Sequence, residues 1–281
     1  MGRPSGITAR PVLRVGTPAP AELDVVAVEE PLEIRVDGER IATTMRTPGQ
    51  DAHLALGFLF AEGIVASLAD VGTITRCGRP GEDGWGNVID VRSGPGVCLD
   101  PERVLDGHRF FVTSSACGVC GRRSIDALLA RLGPLSPGPE GAPLDVARAV
   151  ERLRDAQPLF KRSGGAHAAA IFDAAGGLLV CREDVGRHNA VDKAVGELVY
   201  RGLVRAGGSP GPALLAVSGR SSFEIVQKAA SAGIGVVASI SAASSLAVDL
   251  ARAMDITLAA FVRGGSLNVY THPERLGLDA R

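Results

Sequence analysis

Ala213-Leu-Leu-Ala-Val-Ser-Gly-Arg-Ser-Ser-Phe-Glu-Ile-Val-Gln-Lys-Ala-Ala-Ser-Ala-Gly-Ile-Gly-Val-Val-Ala-Ser-Ile240 decides the fold. A short apolar run, Ala213–Val217, ends in a Ser/Gly turn. A helix, Ser222–Ala232, follows, and a second apolar run occupies Gly235–Ile240. Short apolar runs bounded by turn residues read as buried strands, and their alternation with helices requires parallel pairing with helices on the sheet faces. The pattern continues with a helix at Ser244–Met254 and a strand at Thr257–Val262. Upstream it is preceded by a helix at Asp145–Ala156, strands at Ala166–Phe172 and Leu178–Cys181, and a helix at His188–Tyr200. This half is an α/β sheet.

The first half has another rhythm, α+β and rich in strands. Val25–Val28, Leu32–Val36 and Glu39–Arg46 are strand-like, with Asp37-Gly38 as a hairpin turn. Gln50–Glu62 shows a helical period in Leu54, Phe58 and Ala61 and stops at Gly63. Val71–Arg76, Asn87–Arg92 and Arg109–Thr113 are further strands, and Ser124 is an N-cap for a helix over Ile125–Leu132. Between the halves, Gly133-Pro-Leu-Ser-Pro-Gly-Pro-Glu-Gly-Ala-Pro143 excludes regular structure. The expected organisation is a flexible tail (1–20), a strand-rich domain (21–132), a linker (133–144) and an α/β domain (145–281).

The 281 residues carry 30 Lys+Arg against 31 Asp+Glu, with 46% hydrophobic and 22% charged residues. That is globular composition with a sizeable core. A formal charge of −1 excludes a dedicated nucleic-acid binder, and 4% aromatics leave few rings for base stacking. The longest uncharged stretch, Ala229–Val248, holds five serines and reads as the buried centre of the α/β half, not as a membrane span. The Arg- and Pro-rich start lacks the apolar core of a secretory signal, so the expected location is cytoplasmic.

Five cysteines, at 77, 98, 117, 120 and 181, form no disulfide framework in a chain of this kind. Only Cys117 and Cys120 are close, in Ser114-Ser-Ala-Cys-Gly-Val-Cys-Gly-Arg-Arg-Ser124. Small residues make this loop accessible, and Arg122, Arg123 and the following helix N-terminus favour a thiolate. Three readings are open: a sulfur or redox relay, a zinc site, and loop cysteines without chemistry. Zinc needs two more ligands, and neither His167 nor His188 sits in a ligand pair.

The second half concentrates polar residues where strands end, the place where open α/β sheets bind ligands. Ser163-Gly-Gly-Ala-His167 precedes a strand. Glu183-Asp-Val-Gly-Arg-His-Asn-Ala-Val-Asp-Lys193 leads into a helix and places His188 with Asp192, and Asn189 with Lys193, at i,i+4. Ser218-Gly219-Arg220 offers a bare backbone, a cation and a helix start to a phosphate. Ser239–Ser245 repeats this one strand later, as do Phe261-Val262-Arg263-Gly264-Gly265-Ser266 and Asn268 at the last strand. The opposing reading is ordinary capping and surface ion pairs. Only three lysines stand against 27 arginines, and Lys193 and Lys228 fall inside these segments, which hints at places where guanidinium does not substitute.

Together these segments resemble the FdhD family, the formate dehydrogenase accessory sulfurtransferases. The resemblance rests on Cys117-Gly-Val-Cys-Gly121, Ser163-Gly-Gly-Ala-His-Ala-Ala169, Glu183–Lys193, Ser218-Gly-Arg-Ser-Ser-Phe-Glu-Ile-Val-Gln-Lys228, Ser244-Ser-Leu-Ala-Val248 and Asn268-Val-Tyr-Thr-His-Pro-Glu-Arg275, in order from about residue 20 onward. Ser163 stands where the family commonly has Thr, and Ala242-Ala243-Ser244 where a Pro-Thr pair is common.

The resemblance implies a sulfur carrier that accepts sulfur from a cysteine desulfurase as a persulfide. It passes the sulfur to the molybdenum or tungsten bis(molybdopterin guanine dinucleotide) cofactor, bound as a substrate, before insertion into formate dehydrogenase. It assigns the persulfide to Cys117, with Cys120 beside it, and the cofactor to Phe261–Ser266. It implies a cytidine deaminase-like second domain, a three-layer mixed sheet. No metal of the protein's own is expected, no nucleic-acid or membrane partner, and a homodimer is left open. The residues read from the turns (Ser218, Gly219, Arg220, His167 and His188) join the cofactor set. The runner-up is a zinc-dependent deaminase, whose general acid/base would be a Glu two residues after a metal-binding His; here Ala168 and Ala169 follow His167. A chaperone that only holds the cofactor is the third reading.

Overall fold

The computed structural model describes residues 6–16, 22–78, 86–100, 111–112, 121–135, 145–208 and 212–278. Cys117, Cys120 and most of the 133–144 linker lie outside them. Three sheets are present among the described residues.

β1 (Ile7–Val12) and β2 (Glu22–Ala27) form an antiparallel ribbon, so residues 7–12 are a strand where the sequence reads as tail. β3 (Glu30–Val36) and β4 (Glu39–Arg46) follow as a hairpin. Asp37 and Gly38 both take positive φ (50° and 89°), which a two-residue hairpin turn requires. α1 (Asp51–Ala61), β5 (Val71–Arg76), β6 (Val88–Ser93), β7 (Phe111–Val112) and α2 (Gly121–Leu132) complete the first half. α2 begins at Gly121, so Ser124 lies inside the helix and is not its cap. The sheet order is β5-β6-β3-β4-β7.

The second half opens with α3 (Val146–Asp155), capped by Asp145, whose carboxylate accepts from Arg148 N at 2.9 Å. A helix absent from the sequence reading, α4 (Pro158–Ser163), comes next; Pro158 at its first position is a starting signal. β8 (His167–Phe172), β9 (Leu178–Asp184), α5 (Arg187–Tyr200), β10 (Leu214–Val217), α6 (Phe223–Ser231), β11 (Val236–Ser239), α7 (Ser245–Ala253) and β12 (Thr257–Arg263) follow the expected alternation. A further strand, β13 (Ser266–Thr271), pairs antiparallel with β12. The order is β13-β12-β11-β10-β8-β9, with β10, β11 and β12 parallel and β8 antiparallel to β10. Helix α3 covers one face with Val146, Ala149, Val150 and Leu153. Helices α5, α6 and α7 cover the other.

The two halves share one core: Leu32, Ile34, Leu54, Leu59 and Val91 pack in the same cluster as Val191, Val195, Leu198 and Ile225. α1 is buried nearly all round because it lies between the first sheet and α5, and this blurs its amphipathic period. The two helices cross backbone to backbone. A Cβ on Gly57 would overlap the Asp192 carbonyl oxygen and sit 2.9 Å from Gly196 N; one on Gly196 would overlap the His53 carbonyl oxygen. No described helix is long and apolar enough to cross a membrane.

Candidate functional site

The second sheet brings three turns to one rim. β10 ends at Val217, β11 at Ser239 and β12 at Arg263, all pointing the same way. Parallel neighbours lie about 4.8 Å apart, so β10 and β12 run about 10 Å apart, with the last residues of β12 extending past the end of β11. The backbone links them: Ser221 N donates to Ala242 O, Ser244 N to Ser221 O, and Phe261 N to Ser241 O. β8 is antiparallel, so its first residue, His167, arrives at this rim as well.

Here His167, Arg187, His188, Gly219 and Arg220 converge. A side chain at Gly219 would come within 3.2 Å of His167 Nδ1 and 3.3 Å of Arg187 Cβ, which is why the position is bare. Burial, and then the charge of Arg187, push the His167 pKa down. Burial, and then Arg220, do the same to Arg187. Burial, followed by Arg187, Lys228 and His167, pushes His188 down to about 3. The imidazole is therefore neutral at working pH; its Nδ1 lies 3.2 Å from Glu224 Oε2. Its Nε2 is in hydrogen-bond contact with the Ser222 hydroxyl at 3.0 Å. Neither Arg187 nor Arg220 meets a carboxylate among the described residues, and Arg187 Nε is buried without a hydrogen-bond partner there. The charge of Glu224 acts on Arg187 at a distance, without an ion pair among the described residues.

The other predicted residues divide. Phe261 is 45% exposed and has φ 55°, a setting bulky residues rarely adopt, where the β12–β13 register shifts. Val262 is buried in the core, whereas Arg263 and Ser266 are exposed. Gly264 and Gly265 (φ 52° and 83°) form the two-residue turn of the β12–β13 hairpin, a conformational need that explains both glycines. Ser218 is engaged in the sheet, its Oγ accepting from Ala168 N at 2.9 Å.

The Glu183–Lys193 segment is mostly not a ligand site. Asp184 accepts from Thr47 N (3.1 Å) and pairs with Lys193 Nζ (2.6 Å), which also donates to Thr47 O at 2.8 Å. Asn189 donates to Met45 O at 2.7 Å and accepts from Thr44 Oγ1 at 3.1 Å. These buried groups fasten α5 to the end of β4. Only Arg187 and His188 turn to the rim. Asp192, on the His188 face, pairs with Lys228 of α6 at 2.7 Å.

Sequence reasoning passed over Arg187 at the rim, and Ser222 and Glu224 as the neighbours of the His188 ring. Arg187 carried a signal: a cation in the first turn of a helix opposes the helix dipole.

Against this geometry the comparisons with known proteins are specific. The pattern of the FdhD/NarQ family matches residues 27–277.

The chain belongs to the FdhD/NarQ family.

It is 62% identical over 278 residues to the sulfur carrier protein FdhD of Anaeromyxobacter dehalogenans strain 2CP-1, covering 98% of this chain and 96% of the relative. It is 50% identical over 261 residues to the sulfur carrier protein FdhD of Mycobacterium tuberculosis, covering 90% and 92%. In structure it is similar to a candidate formate dehydrogenase accessory protein from Desulfotalea psychrophila, with a TM-score of 0.70 at 25% identity over 96% of this chain and 98% of that one. The mixed α/β architecture of several sheets is thus shared with that protein.

Proposed function

We propose that this member of the FdhD/NarQ family is a cytoplasmic sulfur carrier for formate dehydrogenase. The Cys117 thiolate attacks the outer sulfur of a desulfurase persulfide, and the desulfurase cysteine leaves as its thiolate. Cys117 then holds the sulfur as a persulfide, with Cys120 as its neighbour. The acceptor is the molybdenum or tungsten bis(molybdopterin guanine dinucleotide) cofactor, bound as substrate.

The observation that carries this reading is the positive rim, whose two arginines form no ion pair among the described residues. Beyond burial, Arg187 lowers the His167 pKa and Arg220 lowers that of Arg187, each against a smaller opposing charge, from Asp184 and Glu224 respectively. A ligand with phosphates relieves that repulsion through charge-assisted hydrogen bonds. Phe261, exposed beside the exposed Arg263, suits a flat base and its phosphates. The names of the relatives support the sulfur chemistry, and the three-layer second sheet supports the cytidine deaminase-like reading of this half.

Mass spectrometry after incubation with a cysteine desulfurase and cysteine tests the sulfur step. The expected result is one added sulfur on the peptide containing residues 117–120, lost in Cys117→Ala. Retention in Cys117→Ala with loss in Cys120→Ala reverses the assignment. No added sulfur, with client activity intact in both variants, favours a cofactor holder.

A further inference from the structure

Two successive helices begin with a serine, and only one of these caps its helix. At α7, Ser244 accepts from Ala247 N at 3.3 Å, the usual role of an N-cap serine. At α6, Ser222 occupies the same position in extended backbone (φ −97°, ψ 171°), yet its side chain makes no cap bond. Its hydroxyl is diverted to His188 Nε2 at 3.0 Å, and the other ring nitrogen, Nδ1, lies 3.2 Å from Glu224 Oε2. Ile225 N and Val226 N donate to the Ser222 carbonyl, so the N–H groups of Phe223 and Glu224 find no partner among the described residues.

Independent atoms in the same turn also lack partners. Ser221 is wholly buried, and its Oγ has no hydrogen bond among the described residues. The buried Arg187 Nε is in the same condition, and Arg187 stands close enough to Arg220 for the two charges to repel. Unpaired buried polar groups are costly, and groups of this kind gathered at one turn point to a ligand that satisfies them.

We propose that Glu224 and His188 are positioning residues: they hold the Ser222 hydroxyl off the α6 backbone, leaving its first-turn N–H groups, with Ser221, Arg187 and Arg220, to cradle one phosphate group. This deepens the reading of the rim as the site for a phosphate-bearing ligand and rests on it. The carboxylate that anchors the relay is itself unfavourable to an anion. Its Oε2 lies against His188 Nδ1.

The test is calorimetric titration of the full chain with guanosine diphosphate and with inorganic pyrophosphate, with melting curves recorded on every variant. His188→Ala frees Ser222 to cap α6, and affinity for both probes should fall on the order of tenfold. His188→Ala combined with Ser222→Gly removes the competing hydroxyl and should return affinity to within about threefold of wild type, since a glycine cap costs little. Ser222→Gly alone should leave affinity unchanged, which keeps the test alive if His188→Ala does not fold. A double variant as weak as His188→Ala, or a loss of affinity in Ser222→Gly, overturns the proposal. Binding of pyrophosphate but not guanosine diphosphate, with the rescue intact, sinks the nucleotide reading and leaves the cradle standing. Binding of both probes without the rescue sinks the cradle alone, and binding of neither sinks both.

Discussion

Lys228 and Asp192 meet at 2.7 Å in the core, and the two groups pull in different directions. Burial raises the Asp192 pKa to about 6, against the opposing charge of Lys228. Lys228 is raised despite its burial, because Asp192 and then Glu62 favour its charged form. With the ammonium in hydrogen-bond contact, we take both as ionised at neutral pH. Removing one partner strands the other, so Asp192→Asn should cost about 3–5 kcal/mol at pH 7. The sign of its pH dependence follows from linkage. A buried Lys228 without Asp192 has a folded pKa below its unfolded one, so the unfolded chain binds more protons and the variant gains stability as pH rises. Denaturant melts of Asp192→Asn from pH 7 to 10 should show the deficit shrinking; a constant or growing deficit contradicts the account. Cys181 tests burial at another residue. Its thiol is pushed up to about 11, chiefly by burial, which leaves about one thiolate in a thousand at pH 8. Cys98 is exposed, so iodoacetamide at pH 8 should alkylate Cys98 well before Cys181. Comparable rates in the folded protein would show that Cys181 is not sheltered. Arg263 tests the rim itself. The carboxylates Asp255 and Glu274, close to it in sequence, face His272, at 3.6 and 3.3 Å. Arg263→Ala should thus weaken guanosine diphosphate binding on the order of tenfold with little change in melting temperature. Unchanged affinity removes Arg263 from the site.

At the scale of elements, the α1–α5 crossing is the most demanding joint. Gly57 and Gly196 exist there because any Cβ meets backbone, which cannot rotate away as a side chain can. Gly57→Ala or Gly196→Ala should destabilise by at least the ~1–3 kcal/mol of an overpacked core. A drop of several degrees in melting temperature is expected for each, and the double variant should lose less than the sum, because one opening of the crossing relieves both. Neither glycine was legible as a contact in the sequence, because a helical glycine carries no mark of what it touches. Strand and helix alternation in the second half was legible, since β10, β11 and β12 are short apolar runs between Ser/Gly turns. β13 was missed because Gly264-Gly265, read as room for a ligand, is a hairpin turn. In the polar run Glu183–Lys193, sequence density could not tell the side chains engaged with Met45 and Thr47 from those that turn to the rim. His167, His188 and Arg220 were found because they lie at strand ends. Arg187 and Glu224 become visible only once the antiparallel β8 and the start of α6 are brought together.

Across the whole molecule, the division expected at 133–144 does not divide the core. Leu54 and Leu59 of α1, each 0–1% exposed, belong to the same cluster as Val191, Val195 and Leu198 of α5. Polar groups are shared as well: Thr47 N and O are satisfied by Asp184 and Lys193 across the same boundary. Separating the halves would expose apolar surface on both helices and strand a buried Lys193–Asp184 pair without its Thr47 partner. Partial unfolding is then penalised twice, by hydration of apolar area and by an incompletely bonded charge. The expected consequence is one cooperative thermal transition, with calorimetric and van't Hoff enthalpies in agreement. Near-ultraviolet signals from Phe58 and Phe60 in the first half and Tyr200 in the second should change at the same temperature. Two resolved transitions, or a first-half signal lost while the second persists, would show that the joint is weaker than its packing implies. A single transition bears on function too, because a ligand seated on the second-half rim would then raise the unfolding temperature of the whole chain, first half included.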